Sequence, residues 1–315
     1  MRFTFTFHAA LGILLSTAWI AVLAQETPPS TGAPVRMLVT VEARHGSDVP
    51  VINREDVMVY EGRDRAKVTD WVPAQGNHAD LELFVLIDDS SSISLGTQLE
   101  DIRQFILAQP ATAKIGLAYM QNGTAKVVQD LTGDHAQAAK ALRPPLEILG
   151  ASASPYLSLG DLIKRWPESA GRREVLMISN GIDPYWENGQ CNQNNPYVES
   201  VMEQAQRAGI VVFTIYTPGV GHIGHSFWRT LCGQSYLSQV ADETGGESYY
   251  MDFHGPAVAF APYLEKLAQR LTRQYWLTFL AKPQKKAGMQ PVKLTTEVPN
   301  AELVSAAKVY VPATR

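Results

Sequence analysis

The chain has 315 residues, 45% of them hydrophobic, with 27 Lys plus Arg against 31 Asp plus Glu. This is an ordinary globular composition with a mild negative charge, and no basic stripe points to a nucleic-acid partner. The length accommodates one large domain and a smaller one.

Taken in chain order, the first segment reads as targeting. Residues 1–24 combine one early cation, Arg2, an apolar stretch from Ala9 to Leu23, and small residues at Val22 and Ala24. That is the pattern of a secretory signal peptide; an uncleaved N-terminal anchor is the competing reading. No other stretch approaches the roughly 18 apolar residues needed to span a bilayer. The expectation is an exported protein, periplasmic or secreted, starting near Gln25 and free of the membrane once the signal is removed.

Residues 25–34 read as a Pro/Ser/Thr linker. Residues 35–78 hold short alternating runs, VRMLVTVEA, PVINREDVMVYEG and AKVTDWV, which predict strands between turns. From Leu81 the texture changes. LELFVLI (81–87), AKIGLAYM, AKVVQDL, REVLMIS (173–179) and IVVFTIYT (210–217) read as strands. Helical spacing appears in 97–109, HAQAAKAL, 155–166, 197–209, 234–246 and 258–274. The tail, YWLTFLA, PVKLTTEV and LVSAAKVYV, returns to strands. The prediction is an α/β domain over 79–275, with a doubly wound, mostly parallel sheet covered by helices on both faces. Residues 276–315 are expected to pack with 35–78 as a small β-rich domain.

The chemistry concentrates where the first sheet strand ends. FVLIDDSSSIS (84–94) climbs into Asp88, Asp89, Ser90, Ser91 and Ser92, and ligands of open α/β sheets sit beyond such carboxyl ends. The spacing Asp88-x-Ser90-x-Ser92 can turn three oxygens to one point, a hard donor set suited to Mg²⁺ or Mn²⁺. The plainer reading is helix capping, for which Ser and Asp are preferred. One such residue suffices for a cap, and here five stand in a row.

This segment resembles the start of the metal-ion-dependent adhesion site (MIDAS) of von Willebrand factor type A (VWA) domains. The likeness covers roughly 80–275. SPYLSLGDLIKRW, RREVLMISNGID, AQRAGIVVFTIYTPG and LSQVADETGGESYY are similar to segments of the bacterial exported VWFA-related group. The resemblance implies that Ser90 and Ser92 touch the metal, with Asp88 close by or bound through water. Where the family has a threonine, GASASPYL offers Ser154 or Ser152; where it has an aspartate after REVLMIS, Asn180 stands. Losing that carboxylate weakens attraction for a divalent ion, and Asp89 or Asp183 are the candidate replacements. The implied function is protein binding or adhesion, in which a partner's Asp or Glu fills the metal's open position. A structural domain with a degenerate site, using another face, is the alternative.

Other signals rank lower. GVGHIG (219–224) fits G-x-G-x-x-G but does not open a helix directly, so a nucleotide is not expected. His222 and His225 lack an evident third ligand. There is no G-x-S-x-G elbow and no H-E-x-x-H, so the chain is not expected to be an enzyme, an exported hydrolase being the second alternative. Trp228, Tyr249, Tyr250 and Tyr263 are read as core or rim. Cys191 and Cys232, in an exported chain and in apparent loops, are expected to form a disulfide, with two unpaired buried thiols as the competing reading.

Overall fold

The computed structural model describes residues 32–147, 154–186, 195–220, 226–250 and 259–313. Residues 1–24, read above as a signal peptide, and Ser152, Cys191, His222 and His225 lie outside the described residues.

Strands β4 (Leu81–Asp88), β7 (Arg172–Ser179) and β8 (Ile210–Tyr216) are buried along almost their whole length, as apolar runs without alternation require. They pair in parallel, with β5 (Ala113–Gln121) beside β4 and the short β9 (Ser248–Tyr249) beyond β8. β6 (Thr124–Thr132) returns antiparallel from β5 through Asn122-Gly123, both at positive φ (51° and 73°). Such a turn matches the natural twist of a hairpin. The sheet order is β6-β5-β4-β7-β8-β9.

Alternate residues of β4 face opposite layers. Leu83, Val85 and Ile87 share a core with Ile102, Phe105 and Ile106 of α1 (Leu99–Leu107) and Leu264 and Leu267 of α6 (Ala261–Thr272). Ala138 and Ala139 of α2 (His135–Lys140) join this side. Phe84 and Leu86 pack instead with α3 (Pro155–Arg165), α4 (Pro196–Ala208) and α5 (Phe227–Thr244). Gly116 of β5 is required here, since a Cβ would stand 2.3 Å from the Phe84 ring.

A second six-stranded sheet, wholly antiparallel, draws on both ends of the chain. Its order is β12 (Lys293–Thr295), β2 (Met58–Glu61), β3 (Asp64–Pro73), β10 (Gln274–Ala281), β1 (Ala33–Ala43) and β13 (Ala301–Ser305). β11 (Gly288–Pro291) pairs separately with β14 (Lys308–Val311). Trp71 stacks on Tyr275 with ring centroids 4.5 Å apart and donates its indole N–H to the Ile52 carbonyl at 2.9 Å.

Three sequence expectations shift. The linker ends earlier than residue 34, because Ala33 is buried and already in register with Ala281. Arg54–Asp56, expected in a strand, form a 3-10 turn. The helix expected from residue 234 begins at Phe227, so Cys232 lies on a helix and not in a loop. Its first turns carry exposed Phe227, Trp228 and Leu231, which removes the amphipathic pattern by which a helix is recognised.

The two sheets meet at a buried polar seam. Arg172, 4% exposed, donates to the carbonyls of Leu271 (2.7 Å) and Ala79 (3.0 Å) and to Gln274 Oε1 (2.5 Å). Arg270 bridges Glu42 on β1 and Glu247 before β9. Glu174 is fully buried, 4.0 Å from Arg172 Nη1. Burial pushes its carboxyl up to about 7, against the pull of Arg172, Gln274 and Arg270. Between about pH 4.5 and 7 the folded protein therefore holds a proton that the unfolded chain releases. Its contribution is fully present below that window and is lost as pH rises through it. Urea unfolding of wild type against Glu174→Gln should expose this term as a difference on the order of 3 kcal/mol in pH dependence between pH 4.5 and 8. Identical pH slopes in the two proteins would remove Glu174 as the titrating group.

Candidate functional site

The carboxyl ends of β4 and β7 build the site. Their register pairs Ile87 with Ile178, which brings Asp88 and Ser179 to the same depth one step further. Asp88 is 5% exposed and collects donors on both oxygens. Oδ1 accepts from the Ser90 N–H (2.8 Å) and the Ser90 hydroxyl (2.6 Å). Oδ2 accepts from the Ser179 hydroxyl at 2.7 Å and, at 3.4 Å, from Asn180 Nδ2. Burial raises the Asp88 carboxyl above its usual range; the Ser90 and Ser179 hydrogen bonds oppose the shift and the Asp89 charge adds to it.

Asn180 is held in one orientation. Its Oδ1 accepts the Ile182 N–H at 2.8 Å, which leaves Nδ2 pointing at Asp88 and 3.4 Å from Ser90 Oγ. The turn after it depends on close backbone approach. Gly181 has φ 68°, and a Cβ on Gly181 or Gly233 would come within 2.3 Å of the other segment's carbonyl oxygen. α5 thus presses directly on the end of β7. The buried Tyr156 hydroxyl fastens the same turn, donating to the Gly181 carbonyl at 2.8 Å.

A second cluster forms around Asp183, also buried. It accepts from Ser154 Oγ (2.9 Å), Asn195 Nδ2 (3.0 Å) and the Tyr185 N–H (3.0 Å). Asn195 in turn caps α4. Trp228 and Asp183 line one small cleft of about 60 Å³ together with Ile182, Trp186 and Tyr236.

The predicted residues therefore divide. Asp88, Ser90 and Asn180 converge. Ser154 is engaged by Asp183. Ser92 has its Oγ on the Ser94 N–H (3.3 Å) and its N–H on the Pro218 carbonyl (2.9 Å), a capping role. Asp89 departs from its expected auxiliary role. It turns away into a bidentate pair with Arg143 (2.6 and 2.7 Å), with further donors from Gln121 and the Leu146 N–H. Arg143 also lies over the Tyr119 ring, 3.7 Å from its centroid. Two contributors were not singled out in the sequence, Ser179 and Asn195. Ser179 was readable as the last residue of a buried strand running beside Asp88; Asn195 carries only the signal of a helix cap. Of the aromatics, Tyr249 is core, while Trp228 and Tyr250 stand on the rim.

The donor set fits a divalent cation in its Asp88 and Ser90 half: a buried carboxylate with no cationic side chain among the causes of its shift, and a hydroxyl beside it. Asn180 as oriented offers N–H where a metal needs oxygen. Among the described residues, no three His, Cys, Asp or Glu side chains cluster to hold a metal. The arrangement suits a weakly held ion at most.

No family model matches the chain, and no curated protein matches it. Solved structures similar to it include BatB from Bacteroides thetaiotaomicron, a conserved hypothetical protein (13% identity, 61% of this chain and 97% of that one, TM-score 0.45). The VWA domain of SpRpn10 is similar at 12% identity (59% and 94%, TM-score 0.37). Proximal thread matrix protein 1 from the mussel byssus, with a zinc-occupied MIDAS motif, is similar at 15% identity (62% and 46%, TM-score 0.41).

The Asp89–Arg143 pair has a structural test. Removing one partner of a buried pair leaves the other charge uncompensated, at a cost of roughly 3–5 kcal/mol, tempered here because Arg143 is 31% exposed. Arg143→Met should lower unfolding stability by about 2–4 kcal/mol in urea titration while leaving divalent-ion affinity unchanged. A shift in ion affinity without a loss of stability would place Asp89 in the ion site after all.

Proposed function

We propose that this chain is an exported, non-enzymatic protein-binding module, a doubly wound VWA-type domain that meets its partner at the carboxyl edge of the parallel sheet. The observation that carries this is the distribution of exposed apolar side chains. Among the described residues, Ile93, Tyr185, Phe227, Trp228 and Tyr250 are each 39–65% exposed and follow the carboxyl ends of β4, β7, β8 and β9, and Leu146, 51% exposed, reaches the same edge through its N–H to Asp89; Val51, Leu107 and Val128 are exposed elsewhere. Aromatic residues on a polar rim are the composition of recognition surfaces.

A divalent cation, Mg²⁺ or Mn²⁺, belongs to the same reading, with Asp88 and Ser90 as its holders and a partner's Asp or Glu as the incoming ligand. When bound, the ion supplies electrostatic attraction for that carboxylate. The protein's own residues keep the ligands in place: Ser179 and the Ser90 N–H orient Asp88, and Tyr156 fixes the turn that carries Asn180. A second reading is favoured by the Asn180 amide, whose N–H already faces Asp88. In that reading the site is closed by hydrogen bonds, and the edge binds through its aromatic rim alone.

Calorimetric titration with Mn²⁺ separates the two. A carboxylate about 5 Å from a divalent ion contributes roughly 1.7 kcal/mol even with water's full screening. Asn180→Asp should therefore tighten Mn²⁺ binding at least about tenfold. Ser90→Ala in that background should abolish the gain. Unchanged affinity in Asn180→Asp, or a gain that survives Ser90→Ala, would defeat the shared-ion reading. The binding role itself is tested by affinity capture from the producing cell's exported proteins. A specific partner should be retained by wild type and lost with Trp228→Ser, and equal retention would move the interface elsewhere.

The expected disulfide is part of the same proposal. Cys232 sits on α5 beside Gly233, no cysteine is free among the described residues, and Cys191 lies outside them. A bridge closing a loop of about 40 residues is worth roughly 3–4 kcal/mol on the chain-entropy model. Peptide mapping of exported protein without reductant should recover the two cysteines linked; two free thiols would end this part of the proposal.

A further inference from the structure

The amino edge of the parallel sheet, far along the strands from Asp88, holds a cavity of about 630 Å³. It opens between α1 and α6 and is bordered by the 74–79 connection. Small side chains, Ala108 capping the end of α1 and Ala261 and Ala268 on α6, leave the groove open, and Leu81, Phe105 and Leu264 make its walls apolar. Its size and lining fall in the range of small-molecule sites, which are mostly apolar with a few convergent polar groups.

Arg172 also lines this cavity. Its Nη atoms are used by Leu271, Gln274 and Ala79, while its buried Nε has no acceptor. An unpaired buried N–H of a charged group carries its full desolvation penalty. The nearest carboxylate, Glu174, is 4.0 Å from Nη1 and keeps its proton up to about pH 7 because it is buried. Arg172 is therefore a buried cation with incomplete compensation. The other acids nearby give it no hydrogen-bond acceptor: Asp80 acts on Arg172 only through its charge, Asp101 accepts the Ala261 N–H at 3.1 Å, and Glu265 is exposed to solvent.

We propose that this cavity binds a single-chain amphiphile, with its apolar tail in the α1–α6 groove and its carboxylate at Arg172. The apolar walls account for the tail, and the unsatisfied guanidinium selects a carboxylate over a neutral head. This site is independent of the reading proposed for the opposite edge.

Decanoate is the probe, titrated calorimetrically into the full exported chain below its micelle concentration, with 1-decanol as the neutral comparison. The expected result is saturable 1:1 binding of decanoate and at least tenfold weaker binding of decanol. Ala268→Phe fills the groove from α6 and Ala108→Phe from α1. Both positions are partly or fully exposed, so either variant provides the test if the other misfolds. Each folded variant, checked by circular dichroism, should lose decanoate affinity at least tenfold. Absence of saturable decanoate binding, equal affinity for decanol, or full affinity in a folded filler variant would overturn the proposal.

Discussion

The molecule is organised by three strands that water cannot reach from either side. Once β4, β7 and β8 are apolar on both faces, their connections must cross over as helices, and any polar chemistry must stand at the strand ends. That constraint accounts for the two places where buried charge collects. Asp88, Asp89 and Asp183 lie at or just past the carboxyl ends; Arg172 and Glu174 lie at the amino ends, where the second sheet docks. Between them, Val175 to Ile178 are fully buried and wholly apolar.

The two ends solve the problem of buried charge differently. At the carboxyl edge, Asp89 receives a bidentate guanidinium and two further donors. Asp88, its chain neighbour, receives only neutral donors. Adjacent residues leaving a strand point to opposite sides, so the pair cannot act on one ligand. At the amino edge the cation is the better-bonded partner: Arg172 makes three hydrogen bonds, while both Glu174 oxygens have none at hydrogen-bonding distance. Glu174 accordingly holds its proton to about pH 7.

How much of this was legible in the sequence follows from what kind of signal each feature leaves. Continuous apolar runs announced β4, β7 and β8, and the oxygen-rich FVLIDDSSSIS announced a strand end where polar side chains are buried. The start of α5 was hidden because Phe227, Trp228 and Leu231 face solvent there, the reverse of the pattern that betrays a helix. The role of Asp89 was illegible for a different reason. Its partner Arg143 lies 54 residues away and reaches it only through the fold. The bond from Ser154 to Asp183 depends on how two loops pack, which spacing alone does not encode.

The balance at Asp88 decides the sign of the field at that edge. Hydrogen bonds to a charged group contribute roughly 1.5–3 kcal/mol each, and Asp88 has three at 2.6–2.8 Å and a fourth, from Asn180, at 3.4 Å. Taking a carboxylate out of water costs several kcal/mol even after relaxation, and Asp89 adds like charge. The net shift of Asp88 is upward, so the donors do not fully offset the burial. A carboxylate in that condition still favours added positive charge nearby. The Asn180 amide supplies only a dipole, held by Ile182, where a cation would supply a full charge. Shape alone cannot tell these apart, since Asn and Asp are nearly the same size. The unfilled electrostatic demand at Asp88, and not the outline of its pocket, is what a cation at this edge would meet.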